Sequence, residues 1–237
     1  MTGAAFRSPG AAFVGAAVEY VRMPAVAMAA AFVGFGAIVH DSSFSLGQAM
    51  VTTAGMTQIP AQIVLVETAR AGAGLAGVFL AVAFIGARIL PMVLSLMPLL
   101  TPGARGRLEL YAATHLVATM SWTSCMRRCP DLPFDQRMPY FWGVALANLG
   151  VVVLGTAVGH TLAGAVAPEI LIGLVFLTPV FFLLLFAAES PDLAGVVSLM
   201  LGAVLGPAIH LLSPEWSVFA GGLAGGTIAF ALVRKRR

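Results

Sequence analysis

Arg88 stands about 16 residues into an otherwise apolar run from Gly72 to Thr101. At a helical rise of about 1.5 Å per residue, that depth places it in hydrocarbon, where a central charge costs about 2.5–3.5 kcal/mol on insertion scales. Such a side chain should face a cavity or an acidic partner. It can bond backbone carbonyls freed at Pro91 and lock the fold, or it can hold the carboxylate of a solute, and the sequence leaves both open. Glu67 and Asp41 are the candidate acidic partners, and with His115 they are the candidates for ion coupling. His115 falls within an apolar run, and an imidazole there can relay protons or stay neutral and hydrogen-bond across helices. A third group is Thr52-Thr53-Ala54-Gly55-Met56-Thr57-Gln58-Ile59-Pro60, which gathers hydroxyls, small residues and an amide beside a proline. Where a proline interrupts a helix, freed backbone groups need partners; Thr57 and Gln58 can supply them, or the segment can bind a solute, with Gly55 permitting close approach. No nucleophile motif, metal cluster or phosphate loop is readable, so no catalytic residue, no metal and no cofactor is expected, and an enzyme is disfavoured.

The elements that must position these residues follow from composition. Of 237 residues, 59% are hydrophobic and 10% charged, against roughly a quarter charged in a soluble domain. A water-soluble globular fold is excluded, and long continuous apolar runs exclude a β-barrel, which needs roughly ten-residue alternating segments. The expected fold is an all-α polytopic integral membrane protein, one transmembrane domain over 1–237, with about eight transmembrane helices and seven as the alternative count. Nucleic acid is not an expected partner despite the net charge of +3, because the basic residues flank apolar runs and form no aromatic-interleaved stripe. Cys125 and Cys129 are too few ligands for zinc and read as reduced thiols.

Residues 1–23 read as an N-terminal interfacial segment, with Phe13 to Arg22 an amphipathic helix, and no cleaved signal is expected. Pro24 starts the first span, to about His40. Ser45 and Gln48 have capping-box spacing, so a helix should begin at Leu46. It should run to about Gln58 and resume from Ala61, a span broken near Pro60. Gly72 to Thr101 is expected to be kinked near Pro91. Further spans are read at Leu108–Met126, Tyr140–Ala163, Ile170–Ala188, Leu193–Leu212 and Trp216–Val233. Eight spans put both termini on one side, cytoplasmic by the basic tail at 234–237. That topology collects ten of the 13 basic residues inside, two outside and Arg88 within the membrane. Asn148 reads as interhelical glue. The four-residue glycine spacings at 155/159, 202/206, 221/225 and 222/226 read first as close packing within the chain, and second as a face for a partner or a second copy of this chain.

Ala54-Gly55-Met56-Thr57-Gln58 resembles the Ala-Gly-x-x-Gln signature of the AzlC family of branched-chain amino acid exporters. Other stretches follow in the family's order: Phe35-Gly36, then Phe44 to Gln48, then Arg88, similar to the arginine of an Asn-Leu-Arg-His motif. Tyr140-Phe141-Trp142-Gly143 resembles a Tyr-Phe-x-Gly motif, and Phe176 to Phe181 a Phe-x-x-Pro-x-Phe run. The resemblance covers roughly Gly34 to Phe186. It departs at Gly86 and Ile89, where asparagine and histidine are usual, and at Thr114 and His115, where an acidic pair is usual. Only Gln58 and Arg88 transfer as site residues. The resemblance implies a large exporter subunit paired with a small hydrophobic AzlD-like membrane protein in the bacterial inner membrane, moving an amino-acid-like solute. With Thr57 and Gly55 from the reading of the broken segment, Arg88, Gln58, Thr57 and Gly55 are the expected substrate-binding residues. The alternative is a non-transporting scaffold or accessory subunit in which Arg88 is structural.

Overall fold

The computed structural model describes residues 5–22, 24–42, 44–70, 72, 74–163, 165, 167, 169–170, 173, 176, 180, 193–212 and 217–234. Every regular element among them is helical. In chain order these are α1 Pro9–Arg22, α2 Pro24–Asp41, α3 Leu46–Gly55, α4 Ile59–Arg70, α5 Leu75–Gly86, α6 Ile89–Leu100, α7 Arg107–His115, α8 Thr119–Arg128, α9 Phe134–Leu162, α10 Leu193–Leu212 and α11 Ser217–Arg234, with short 3-10 turns at Thr101–Gly103 and Cys129–Asp131. The chain divides into two compact units, Met1–Thr178 and Pro179–Arg237. The span read at Ile170–Ala188 falls mostly outside the described residues, as do most of the Phe176–Phe181 motif and the tail from 235.

By length and composition, Phe134–Leu162 and Gly195–Leu212 can each cross a membrane, and the α1–α2 and α5–α6 pairs, counted as bent spans, raise that to four among the described residues. Large apolar side chains cover much of the outside, including Phe79, Leu80, Phe84, Leu90 and Leu94 on α5 and α6. A water-soluble monomer would not expose them, whereas lipid is a fitting solvent.

In the first unit α9 is the spine. Its 29 residues span about 44 Å at helical rise. It starts at Phe134, six residues before the expected Tyr140, because Pro133 lies just ahead of the helix, where proline is tolerated. Between helices in lipid the cohesive force is van der Waals contact and hydrogen bonding, so small residues decide how closely backbones approach. Gly143 lets α1 in: a side chain there would collide with the Phe13 carbonyl and Ala16. The buried residues of α1, Ala12, Ala16 and Tyr20, repeat every four residues and form one stripe. Tyr20 donates its hydroxyl hydrogen to Asn148 Oδ1 at 2.7 Å, the interhelical role read for Asn148. Gly155 and Gly159 admit the α2 backbone at Ala29 and Val33, while Gly36 of α2 admits Thr156 in return. The 155/159 spacing thus serves packing within the chain.

The second unit pairs α10 with α11. A Cβ on Gly221 would lie 3.1 Å from Gly206 Cα, and one on Gly225 3.2 Å from Gly202 N. Gly221 and Gly225 therefore face the α10 backbone at Gly206 and Gly202, while a Cβ on Gly202, Gly206, Gly222 or Gly226 would meet nothing within 4 Å.

Two breaks fall near the expected prolines. The second segment leaves the helix at Gly55 and resumes at Ile59, earlier than Gln58 and Ala61. The third bends by 53° at Ala87–Arg88, near Pro91. Both shifts have one cause, because a proline removes the bond to the carbonyl four residues back and its ring crowds that carbonyl. For Pro60 that residue is Met56, and for Pro91 it is Ala87. The fourth segment is not continuous: α7 ends at His115 and α8 begins at Thr119. The amphipathic helix expected in the N-terminal segment is α1, whose buried stripe packs along the first half of α9.

Candidate functional site

Three helix interruptions in the first unit bring polar groups together. The first, Met56-Thr57-Gln58, lies between α3 and α4 outside any helix, with Met56 extended at φ −146° and ψ 111°. Its approach is fixed by α3, whose N-terminus has the expected capping box: Ser45 Oγ accepts from Gln48 N at 3.2 Å, and Gln48 Oε1 accepts from Ser45 N at 2.8 Å. The second, Ala87-Arg88, bends α5 against α6 by 53°. The Ala87 carbonyl, denied its partner by Pro91, accepts instead from Leu90 N at 3.1 Å. The third, Leu116-Val117-Ala118, is held by one hydroxyl: Ser121 Oγ accepts from Ala118 N at 2.9 Å and lies 3.1 Å from the Leu116 carbonyl.

Side chains tie these interruptions together. Arg88 Nε donates to Gln58 Oε1 at 3.0 Å, joining the second break to the first across 30 residues of sequence. His115 Nε2 lies 3.3 Å from the Ala54 carbonyl, one of the last acceptors of α3, joining the third break to the first. Trp122 Nε1 donates to Ser95 Oγ at 2.9 Å and ties α8 to α6. Arg88 thus bonds a side chain rather than the carbonyls freed by Pro91. Its terminal guanidinium nitrogens have no protein acceptor among the described residues, and those nitrogens form the fork that matches a carboxylate.

The remaining sequence-read residues are distributed as follows. Thr57 and Gln58 are half-buried on the segment between α3 and α4. Gly55 ends α3 beside open space, since a Cβ there would meet nothing within 4 Å. Glu67 on α4 pairs with Arg70 at 3.8 Å, both side chains more than half exposed. Asp41 is the last residue of α2. Among the described residues neither carboxylate bonds Arg88, so the structure does not assemble Asp41 or Glu67 with Arg88 and Gln58. No group of three or more His, Cys, Asp or Glu is placed to hold a metal among the described residues.

Sequence reading missed Gln62 and Thr156. Both are fully buried, as is Thr53. Gln62 Nε2 donates to the Met56 carbonyl, the group that Pro60 leaves without a helical donor. Thr53 Oγ1 is 3.2 Å from Gln62 Oε1 and 3.0 Å from Thr156 Oγ1. The available signal was spacing: Thr53 and Gln62 flank the break, and Thr156 lies between two glycines that bring α9 against α2.

The family model described as AzlC protein matches residues 24–166. No curated protein and no solved structure matches the chain.

Proposed function

The chain belongs to the AzlC family, and from that membership we propose that it is a secondary transporter exporting branched-chain amino acids, or a related small zwitterionic or amphiphilic solute, across the bacterial inner membrane. Membership itself carries the coarser statement: a membrane protein of a transporter-type family. The observation that supports the finer reading is the Arg88–Gln58 hydrogen bond, which unites two helix breaks that lie far apart in sequence. Broken helices of this kind are where transporters expose backbone to a solute. In the proposed mode, the Arg88 fork holds the solute carboxylate while Gln58 fixes the guanidinium through Nε. The Thr57 hydroxyl and carbonyls along the break accept from the ammonium group. Met56 and Trp122 offer apolar surface to the hydrocarbon side chain.

A gradient supplies the energy in this reading, with the proton as the proposed coupling ion and His115 as the candidate relay. A small AzlD-like subunit is the proposed partner, and both termini are proposed to be cytoplasmic. The test is counterflow of labelled leucine, isoleucine and valine in proteoliposomes, with and without that subunit. Saturable exchange supports the proposal. Absence of exchange for these and a wider amino acid panel, in folded protein with the subunit present, overturns it in favour of a scaffold role.

A further inference from the structure

Pro60 strips one carbonyl, Met56 O, of its helical donor, and the chain answers with a side chain two residues beyond the proline. Gln62 donates Nε2–H to that oxygen. This fixes the amide's orientation, because turning it over would set two acceptors face to face. Gln62 Oε1 must then face Thr53, 3.2 Å away, and Thr53 is the only one of that pair with a proton to give. Thr156 Oγ1 of α9 lies 3.0 Å from Thr53 Oγ1 and 2.9 Å from the Val152 carbonyl, so its one hydrogen is shared between them. The result is a buried relay directed from Thr53 through Gln62 to the Met56 carbonyl, with Thr156 joining it to α9. All three side chains are fully buried, so a lost link leaves a polar group without water to replace it.

We propose that Gln62 is the positioning residue of the site: by occupying the Met56 carbonyl it keeps Met56-Thr57-Gln58 out of the helix, and through Thr53 and Thr156 it registers that segment on α9 so that Gln58 meets Arg88. This rests on reading Gln58 and Arg88 as solute-binding. Gln62 itself touches no solute; it acts through the backbone that carries Gln58.

Two readouts on the full chain separate positioning from transport. The first is hydrogen–deuterium exchange of the peptide spanning residues 53–62 in purified protein. Gln62→Met, which keeps length and removes polarity, raises exchange at Thr57 and Gln58 by about tenfold, the equivalent of one lost hydrogen bond, with α9 peptides unchanged. The second is leucine counterflow: Gln62→Met raises the half-saturation concentration by about the same factor, with the maximal rate held within about twofold. Gln62→Glu adds a pH signature, since a protonated carboxyl can donate to Met56 O and a carboxylate cannot. Its deuterium exchange in the 53–62 peptide rises with pH relative to the unsubstituted chain at each pH. Should Gln62→Met fail to fold, Thr156→Val tests the far end of the relay and shows the same signs at smaller size, while Thr156→Ser restores the original values. Unchanged deuterium exchange and unchanged half-saturation in folded Gln62→Met, or a Gln62→Glu pH profile that overlays the unsubstituted one, overturns the proposal. If the unsubstituted chain moves no solute, the transport reading falls, and the deuterium arm still decides whether Gln62 holds the break.

Discussion

A guanidinium has two edges, and the proposed site divides those of Arg88 between protein and solute. Gln58 occupies Nε, so the terminal nitrogens are left to recognise a planar anion. Lysine cannot serve both directions, having a single charged centre and no fork. Arg88→Lys is therefore expected to raise the half-saturation concentration for leucine by at least about tenfold, the loss of one charge-assisted bond, while expression and melting temperature hold; counterflow beside a melting curve checks it. Gln58→Glu should be more severe. It places a fixed carboxylate where the neutral amide was, neutralises Arg88 from within, and is expected to abolish exchange without destabilising the protein. Both residues were legible in the sequence because an arginine in an apolar run and an amide beside a proline are conspicuous by type. Gln62 was not, because nothing in a lone glutamine near a helix start reveals that its partners are a threonine of α3 and the carbonyl that Pro60 frees.

Breaks, caps and close contacts govern the elements, and they were readable to unequal degrees. Ser45 and Gln48 form a capping box that spacing alone discloses, and Ser45→Ala should cost about 0.5–2 kcal/mol, read as a lowered melting temperature. The breaks at Pro60 and Pro91 were legible, though each begins at the carbonyl four residues before its proline. The break between α7 and α8 was hidden. Leu116-Val117-Ala118 holds neither glycine nor proline, and its stabilising hydroxyl, Ser121, looks like any other helical serine. Glycines along α9 supply a direct comparison. A side chain at Gly159 would run into the Val33 backbone, whereas one at Gly150 would meet nothing within 4 Å. Gly159→Ala is expected to destabilise the protein by about 1–3 kcal/mol through overpacking. Gly150→Ala is expected to be neutral, or stabilising by roughly 0.5–1 kcal/mol through helix propensity. Equal melting temperatures for the two variants would contradict the packing described for α2 on α9.

For the whole molecule, the distribution of basic residues predicts sidedness. An eight-span count would put Arg105 and Arg107 on the opposite side from Arg127, Arg128 and Arg137, but Gly103 abuts the Phe134 carbonyl and Arg137 donates to the Leu99 carbonyl at 3.4 Å, so positions 105 and 137 share one end of the first unit. Labelling of single introduced cysteines by an impermeant reagent checks this: cysteines at positions 105 and 137 should react from the same side of the membrane. Composition made the membrane environment legible, since 10% charged residues stand against roughly a quarter in a soluble domain, but the meeting of three helix breaks was not. It depends on contacts between residues 30 and 61 positions apart in the sequence, and no local pattern encodes such a meeting. The central claim is that these breaks form a carboxylate-binding transport site through Arg88. Leucine counterflow in proteoliposomes, comparing the unsubstituted chain with Arg88→Ala at matched protein levels and with the small subunit present in both, tests it most directly. Saturable exchange in the former and its loss in the latter is the predicted result; equal exchange by both would contradict the account.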